Sequence, residues 1–115
     1  MAGTVVADKW QNGDGTENFK CRAWVNFNGT GTVAIRASGN VSSITDNGGG
    51  NYTVNFLTAM PDANYSVSGT AGYNDPTSLG VTAPKAFSTN TLRFITVYAN
   101  GLVADYMWVS ISVFR

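Results

Sequence analysis

Apolar and polar residues alternate along most of this chain, most clearly in its last stretch, residues 106 to 115. One parity holds apolar side chains, namely Met107, Val109, Ile111 and Val113. The other parity holds a mixed set, namely Trp108, Ser110, Ser112 and Phe114. Because successive side chains of a β-strand point to opposite faces, the pattern predicts a strand with one apolar and one mixed face.

Six further runs show the same two-residue period, at positions 24–27, 32–37, 41–45, 51–56, 64–69 and 92–99. Clusters of glycine, asparagine, aspartate and proline separate them, and these residue types favour tight turns. Short strands separated by such turns are typical of an all-β domain. We therefore expect an antiparallel β-sandwich or barrel-like domain of about seven strands.

The glycine-rich stretch DNGGGN, residues 46 to 51, has two interpretations. A phosphate-binding loop would be followed by a helix and would usually contain a lysine. Here the next residues, NYTVNF, have the period of a strand, and no lysine lies nearby. The stretch therefore predicts the turn of a β-hairpin.

The first twenty residues break the alternation and leave Val5, Val6 and Trp10 as isolated apolar side chains. Burying a side chain of this size contributes ~1.5–3 kcal/mol. We therefore expect these residues to pack on the protein's own domain or on a neighbouring chain. The chain is predicted to consist of an N-terminal docking arm, residues 1–20, and a single β domain, residues 21–115.

Charge and composition limit the classes of partner. Seven basic and seven acidic residues give a formal net charge of zero, which argues against binding to nucleic acid or to an anionic membrane surface. The polar surface instead draws on 47 Asn, Thr, Ser and Gly residues, a composition that suits contact with salt and sugars outside a cell. No run approaches the ~18 apolar residues of a membrane span. The first residues lack the features of a signal peptide, so synthesis in a cytoplasm is expected.

The sequence offers little catalytic or metal-binding chemistry. It has no histidine, and its carboxylates lie mostly in turn contexts, so we expect a non-enzymatic protein without cofactor or metal. The stretch NGDGTEN, residues 12 to 18, has the spacing of the start of a calcium loop, but Ala23 stands where that loop needs glutamate. A glycine-rich turn is the favoured interpretation. Cys21 is the only cysteine, and we expect a buried free thiol there.

Two sets of residues are candidate contact sites. In the loop at residues 70 to 80, Tyr73 stands beside Asn74 and Asp75, and this combination can stack on a sugar ring and hydrogen-bond its hydroxyls. The alternative is a rigid turn with Tyr73 packed inward. The mixed face of the last strand carries large aromatic residues, which suggests either a subunit interface or the second half of a closed core. Its aromatic residues are Tyr106, Trp108 and Phe114.

Residues 20 to 67, KCRAWVNFNGTGTVAIRASGNVSSITDNGGGNYTVNFLTAMPDANYSV, resemble a module of bacteriophage virion proteins, chiefly tail-fibre and tail-spike-like chains. The stretches AWVNFNGTGTVAIRASGNVSSITDNG, YTVNF and AMPDANYSV carry the resemblance. It implies a non-enzymatic structural module of the virion, commonly a homotrimer, with no catalytic or metal residues to transfer.

Together these observations give two expectations. The first is a tail-fibre or receptor-binding module that recognises a host-surface polysaccharide. The second is a capsid decoration (cement) protein or another accessory virion protein, attached to other virion proteins through the arm that contains Val5, Val6 and Trp10. A host-derived adhesin is a weaker third alternative, because no signal peptide is visible.

Overall fold

The computed structural model describes residues 3, 11–16, 19–74 and 79–115. These residues form an all-β domain of eight strands. The strands are β1 (Cys21–Asn28), β2 (Ala34–Gly39), β3 (Val41–Asp46), β4 (Asn51–Phe56), β5 (Ser66–Gly72), β6 (Leu79–Phe87), β7 (Thr91–Tyr98) and β8 (Trp108–Phe114). Among the described residues, no helix is long and apolar enough to cross a membrane.

All eight strands belong to one sheet, in the order β2-β1-β8-β5-β6-β7-β4-β3, and every neighbouring pair is antiparallel. Strands β5, β6 and β7 form a meander, and β8 returns to lie beside β5, which is a Greek-key arrangement. The two edge strands, β2 and β3, follow each other directly in the chain. The sheet therefore curls into a nearly closed barrel, as the alternating pattern predicted.

Asn40, the single residue between β2 and β3, fixes the corner where the barrel closes. It has a positive φ of 56°, a left-handed conformation that asparagine tolerates better than most residues. Its side-chain Nδ2 donates to the carbonyl oxygens of Arg22 and Thr58, both at 3.0 Å, and its Oδ1 accepts from the Thr58 amide at 2.7 Å. The Leu57 amide donates to the Asn40 carbonyl at 3.1 Å. These bonds tie the corner to the start of β1 and to the chain after β4.

The interior of the barrel is filled by the inward parities of the strands. On β8 the buried residues are Val109, Ile111 and Val113, as the alternation predicted. At the centre, three aromatic rings pack with centroids 5.1 to 6.1 Å apart, namely Phe27, Tyr52 and Phe94. Edge-to-face and tilted contacts of this kind are favourable beyond the apolar area that they bury.

The DNGGGN stretch forms the hairpin between β3 and β4, as predicted. Gly48 and Gly50 have φ values of 120° and 65°, which side chains with a Cβ rarely adopt. The Gly48 amide donates to Asp46 Oδ1 at 3.0 Å, and the Asn47 amide donates to the Asn51 carbonyl at 2.8 Å. Gly50 is buried, and a Cβ there would lie 2.7 Å from the Thr96 carbonyl oxygen, so this position also needs glycine for space.

The chain between β7 and β8 folds over one end of the barrel and is held there by polar groups. Asp105 Oδ1 accepts from the Gly50 amide and lies 2.7 Å from the Tyr52 hydroxyl, which is also 2.9 Å from the Gly29 carbonyl oxygen. The Gly29 amide donates to the Tyr106 carbonyl at 2.8 Å. Burial and the hydrogen bond to Asp105 raise the pKa of Tyr52 far above its usual range. This end of the barrel is closed by a buried hydrogen-bond network.

The structure adds one strand that the sequence did not predict, corrects one expectation and leaves one untested. Strand β6 was not predicted, because Gly80 and Pro84 interrupt its alternation, and the register shifts between Pro84 and Ala86. Cys21 is exposed and not buried, since it lies where β1 begins and its partner on β8 is the outward-facing Phe114. Most of the predicted arm, residues 1–20, including Val5, Val6 and Trp10, lies outside the described residues.

Candidate ligand-binding face

The outer face of β1, β8 and β5 combines two exposed indole rings with a field of small polar side chains. We call it the tryptophan face, and it consists of Trp24, Asn26, Ser68, Thr70, Trp108, Ser110 and Ser112. On β1 and β8 these residues have the opposite parity to the buried Val25, Val109 and Ile111. Trp24 and Trp108 are 43% and 47% exposed, whereas other apolar side chains fill the interior of the barrel. A ligand can therefore reach both rings.

Register places the polar side chains in rows across the three strands. Ser110 lies opposite Asn26 on one side and Thr70 on the other, while Ser112 lies between Trp24 and Ser68. Within the described chain, no side-chain hydrogen bond engages the hydroxyls of Ser68, Thr70, Ser110 or Ser112. These four groups can therefore both donate to and accept from a ligand.

Each tryptophan has a glycine as a cross-strand neighbour, and Trp24 fills the space over its glycine whereas Trp108 does not. Trp24 packs over Gly39 of β2, where any added Cβ would collide with the indole. Trp108 lies opposite Gly72 of β5, and a Cβ at Gly72 would meet no described atom within 4 Å. Among the described residues, the space on the β5 side of the Trp108 ring is therefore open.

Arg36 on β2 orients Trp108 from the other side. Its guanidinium carbon lies 4.1 Å from the centroid of the Trp108 ring, within the range of a cation–π contact. Its Nη2 donates to the Met107 carbonyl at 2.6 Å, and its Nη1 donates to Asn26 Oδ1 at 3.3 Å. These bonds fix the guanidinium of Arg36 against one face of the indole ring.

The structure separates the aromatic residues that the sequence grouped as an interface. Tyr106 is 0% exposed, so it is not available to a partner chain, and its inclusion in a subunit interface is corrected. The reason is that β8 starts only at Trp108, so the parity of the strand does not extend to Tyr106. Trp108 and Phe114 do point outward and are about half exposed. They are therefore not the second half of a closed core in the described part of the chain.

Tyr73 adopts the inward-packed alternative. Its ring lies 5.0 Å from that of Tyr106, and its hydroxyl donates to the Asp105 carbonyl at 2.6 Å. Asn74 is exposed, and Asp75 lies outside the described residues. Tyr73 therefore does not present the open aromatic ring that a sugar site in this loop would need.

The stretch NGDGTEN, for which the sequence favoured a glycine-rich turn, forms a turn where it is described. Asp14 Oδ1 accepts from both the amide and the hydroxyl of Thr16, at 3.0 and 2.7 Å. These bonds lower the pKa of Asp14. No group of three or more acidic or cysteine side chains that could hold a metal is found among the described residues.

Trp24 and Arg36 were not singled out in the sequence. The run at residues 24–27 contains a signal for Trp24, since Trp24 has the opposite parity to Val25 and Phe27, which are buried in the structure. No comparable signal exists for Arg36, because its contact with Trp108 joins β2 to β8 across β1.

Comparison of the chain with models of protein families, with curated proteins and with solved structures finds no match in any of the three.

Proposed function

We propose that this protein is a non-enzymatic receptor-binding module of a bacteriophage tail fibre and that its tryptophan face binds a polysaccharide of the host surface. The observation that carries the proposal is the pair of exposed rings, Trp24 and Trp108, separated by hydroxyls that no side chain in the described part of the protein engages. Sugar rings offer an apolar C–H surface for an aromatic ring and hydroxyls for hydrogen bonds. The assignment to a phage particle comes from the resemblance of residues 20 to 67.

The test is binding to an array of host-envelope polysaccharides by the wild-type protein and by the variants Trp24→Ala and Trp108→Ala. Loss of one ring is expected to weaken binding about tenfold, equivalent to about 1.4 kcal/mol. Tyr98→Ala removes an exposed aromatic side chain from β7, outside the tryptophan face, and should retain binding. Equal binding by the tryptophan variants and the wild type would refute the proposal.

A second observation favours an assembly role within the virion. An aliphatic patch, defined as Leu79, Val81, Leu102 and Val103, is 50 to 67% exposed where β6 and β7 meet the β7–β8 connection. Exposed aliphatic side chains of this kind are typical of the apolar core of a homo-oligomer interface. We propose that copies of this chain, as a homotrimer, meet through this patch. An accessory role, such as capsid decoration, would use the same oligomer.

Native mass measured by light scattering tests this assembly. The wild type is expected to be a trimer, and the double variant Val81→Asp/Leu102→Asp is expected to be a monomer, because it buries two unpaired charges in the interface. Thr32→Asp/Ser38→Asp adds the same charges at exposed positions outside the patch and should stay trimeric. A monomeric wild type would refute the homotrimer.

A further inference from the structure

A polar cavity lies at the end of the barrel where β1 begins. Its volume is about 320 Å³, and it is open to solvent on one side. Lys20 and Arg22 line it, together with Asn40 of the closing corner and Thr58 of the chain after β4. A volume near 300 Å³ is at the lower limit of small-molecule sites. It suits one sugar unit or one of its substituents.

The charges around this cavity are mostly positive. Lys20 and Arg22 are cations, and among the described residues no carboxylate side chain lines the cavity. At this end of the barrel, Asp62 is bound by Arg115 through two contacts, of 3.0 and 2.8 Å. Arg22 donates through Nε to the Arg115 carbonyl at 2.7 Å. In the described residues, no hydrogen bond engages the Lys20 ammonium or the two terminal nitrogens of Arg22.

The part of the cavity wall formed by Asn40 and Thr58 is preorganised. The three side-chain bonds of Asn40 join the start of β1 to residue 58, so the backbone around the cavity is fixed. The Thr58 hydroxyl is not engaged by any described residue and can donate to an anion.

The cavity adjoins the tryptophan face. Trp24 packs over Gly39, and the next residue, Asn40, lines the cavity. Arg22 precedes Trp24 by two positions on β1. A sugar ring on Trp24 would therefore have the cations of the cavity within reach of its substituents.

We propose that this cavity binds the anionic group, a carboxylate or a phosphate, of an acidic sugar whose ring stacks on Trp24. The inference rests on the proposed function of the tryptophan face and adds the chemical class of its ligand. A polysaccharide with one acidic group per repeat would satisfy both features. The exposed Lys20, the half-buried Arg22 and the Thr58 hydroxyl would bind that group through charge-assisted hydrogen bonds.

The experiment is an NMR titration of the ¹⁵N-labelled protein with sodium glucuronate, glucose 6-phosphate and the neutral methyl glucoside. The amides of Asn40 and Thr58 report on the cavity, and the indole N–H groups of Trp24 and Trp108 report on the tryptophan face. Glucuronate or glucose 6-phosphate is expected to shift both sets of signals saturably. The more tightly bound of the two identifies the acidic group as carboxylate or phosphate. Methyl glucoside is expected to shift only the indole signals.

Two double variants with the same loss of charge complete the test. Lys20→Gln/Arg22→Gln is expected to weaken binding of the acidic sugar about fivefold, since exposed charge pairs contribute modestly. Lys85→Gln/Arg93→Gln removes two exposed cations from β6 and β7 and should change the affinity by less than about twofold. Equal weakening in both variants would mean non-specific attraction and would overturn the proposal.

The titration distinguishes failure of this proposal from failure of the proposed function. If all three sugars shift the indole signals while the cavity amides stay unchanged, the cavity proposal is wrong and the glycan face stands. If acidic sugars shift the cavity amides while no sugar shifts an indole signal, the cavity binds anions and the glycan face is wrong. If no signal responds, both are wrong.

Discussion

Tyr52 shows how a single polar atom in an aromatic core can hold together two distant parts of the chain. Its ring belongs to the central aromatic cluster, while its hydroxyl reaches Asp105 in the β7–β8 connection and Gly29 after β1. Removing one partner from such a buried group leaves the other without its hydrogen bond, which costs more than the net contribution of the bond itself.

The substitution Tyr52→Phe is therefore expected to lower the free energy of unfolding by about 1–3 kcal/mol. Urea denaturation followed by fluorescence would measure it. Tyr98→Phe is the matched control, because the same hydroxyl is removed from an exposed side chain, and a change within about 0.5 kcal/mol is expected there. Equal effects of the two substitutions would mean that the Tyr52 hydroxyl does not hold the connection.

Asp62 provides a second prediction at this scale, on acid stability. The hydrogen bonds from Arg115 and then from the Asn64 amide lower the pKa of Asp62 to about 2. Because this is below the value of about 3.9 for an unfolded chain, the carboxylate stabilises the fold above pH 4. That contribution is lost as the pH falls from about 4 to about 2.

We expect the Tm of the wild type to exceed that of Asp62→Asn above pH 4 and the two values to converge towards pH 2. Thermal unfolding across this range, followed by circular dichroism, would show it. Arg115→Gln removes the larger cause of the shift and should reduce the pH dependence of the difference. A constant difference between the wild type and Asp62→Asn at all pH values would contradict the prediction.

Among the elements, the β2–β3 corner determines whether the barrel closes. Asn40→Gly keeps a residue that accepts positive φ but removes the amide group, whereas Asn40→Ala removes both advantages. Both variants should unfold at lower urea concentration than the wild type, and Asn40→Ala at the lowest. If the glycine variant matches the wild type, the three side-chain bonds contribute nothing and the corner depends on backbone conformation alone.

The strands were predictable from sequence where one face meets the core and the other meets solvent. The alternation in β4 and β8 arises from that difference, and both strands form where it indicates. In β6 the inward positions hold small residues, and a bulge follows Pro84, so the two-residue period is lost. The neighbouring strands nevertheless supply the hydrogen bonds of a strand. Such a strand is determined by tertiary context, which a local pattern does not contain.

The candidate site was less predictable than the fold. Tyr73 stood out in the sequence because it lies among turn residues, yet it packs against Tyr106 and is half-buried. Trp24 and Trp108 became a face only when β1 and β8 paired in a register that sets hydroxyls between them. In both cases the environment of the side chain depends on residues of distant strands. Alternation shows which side chains share a face of one strand, but it does not show which strands are neighbours.

Across the whole molecule, the tyrosine hydroxyls are buried to different depths. Their burial determines how the stability of the fold changes at alkaline pH. Burial raises the pKa of Tyr65 and Tyr106, as burial and Asp105 do for Tyr52. The folded state therefore binds protons that an unfolded chain would release near pH 10, so stability is full below that pH and falls as the pH rises above it.

Absorbance at 295 nm, which reports phenolate, should accordingly rise in two steps between about pH 9 and pH 13, because part of the tyrosine set ionises only on unfolding. Circular dichroism recorded in parallel should change with the second step and not with the first. Complete ionisation before any loss of the β-sheet signal would contradict the burial of these three hydroxyls.

The start of β1 and the end of β8 pair with each other, Cys21 opposite Phe114, and Arg22 bonds to the Arg115 carbonyl. The order in which the chain connects the strands can therefore be changed while their arrangement in the sheet is kept. A short peptide joining residues 19 and 115, with new ends opened between the exposed Gly48 and Gly49, would give a circularly permuted chain with the same sheet order. For the same reason, the barrel could be inserted as a unit into a surface loop of another protein, entering and leaving at one point.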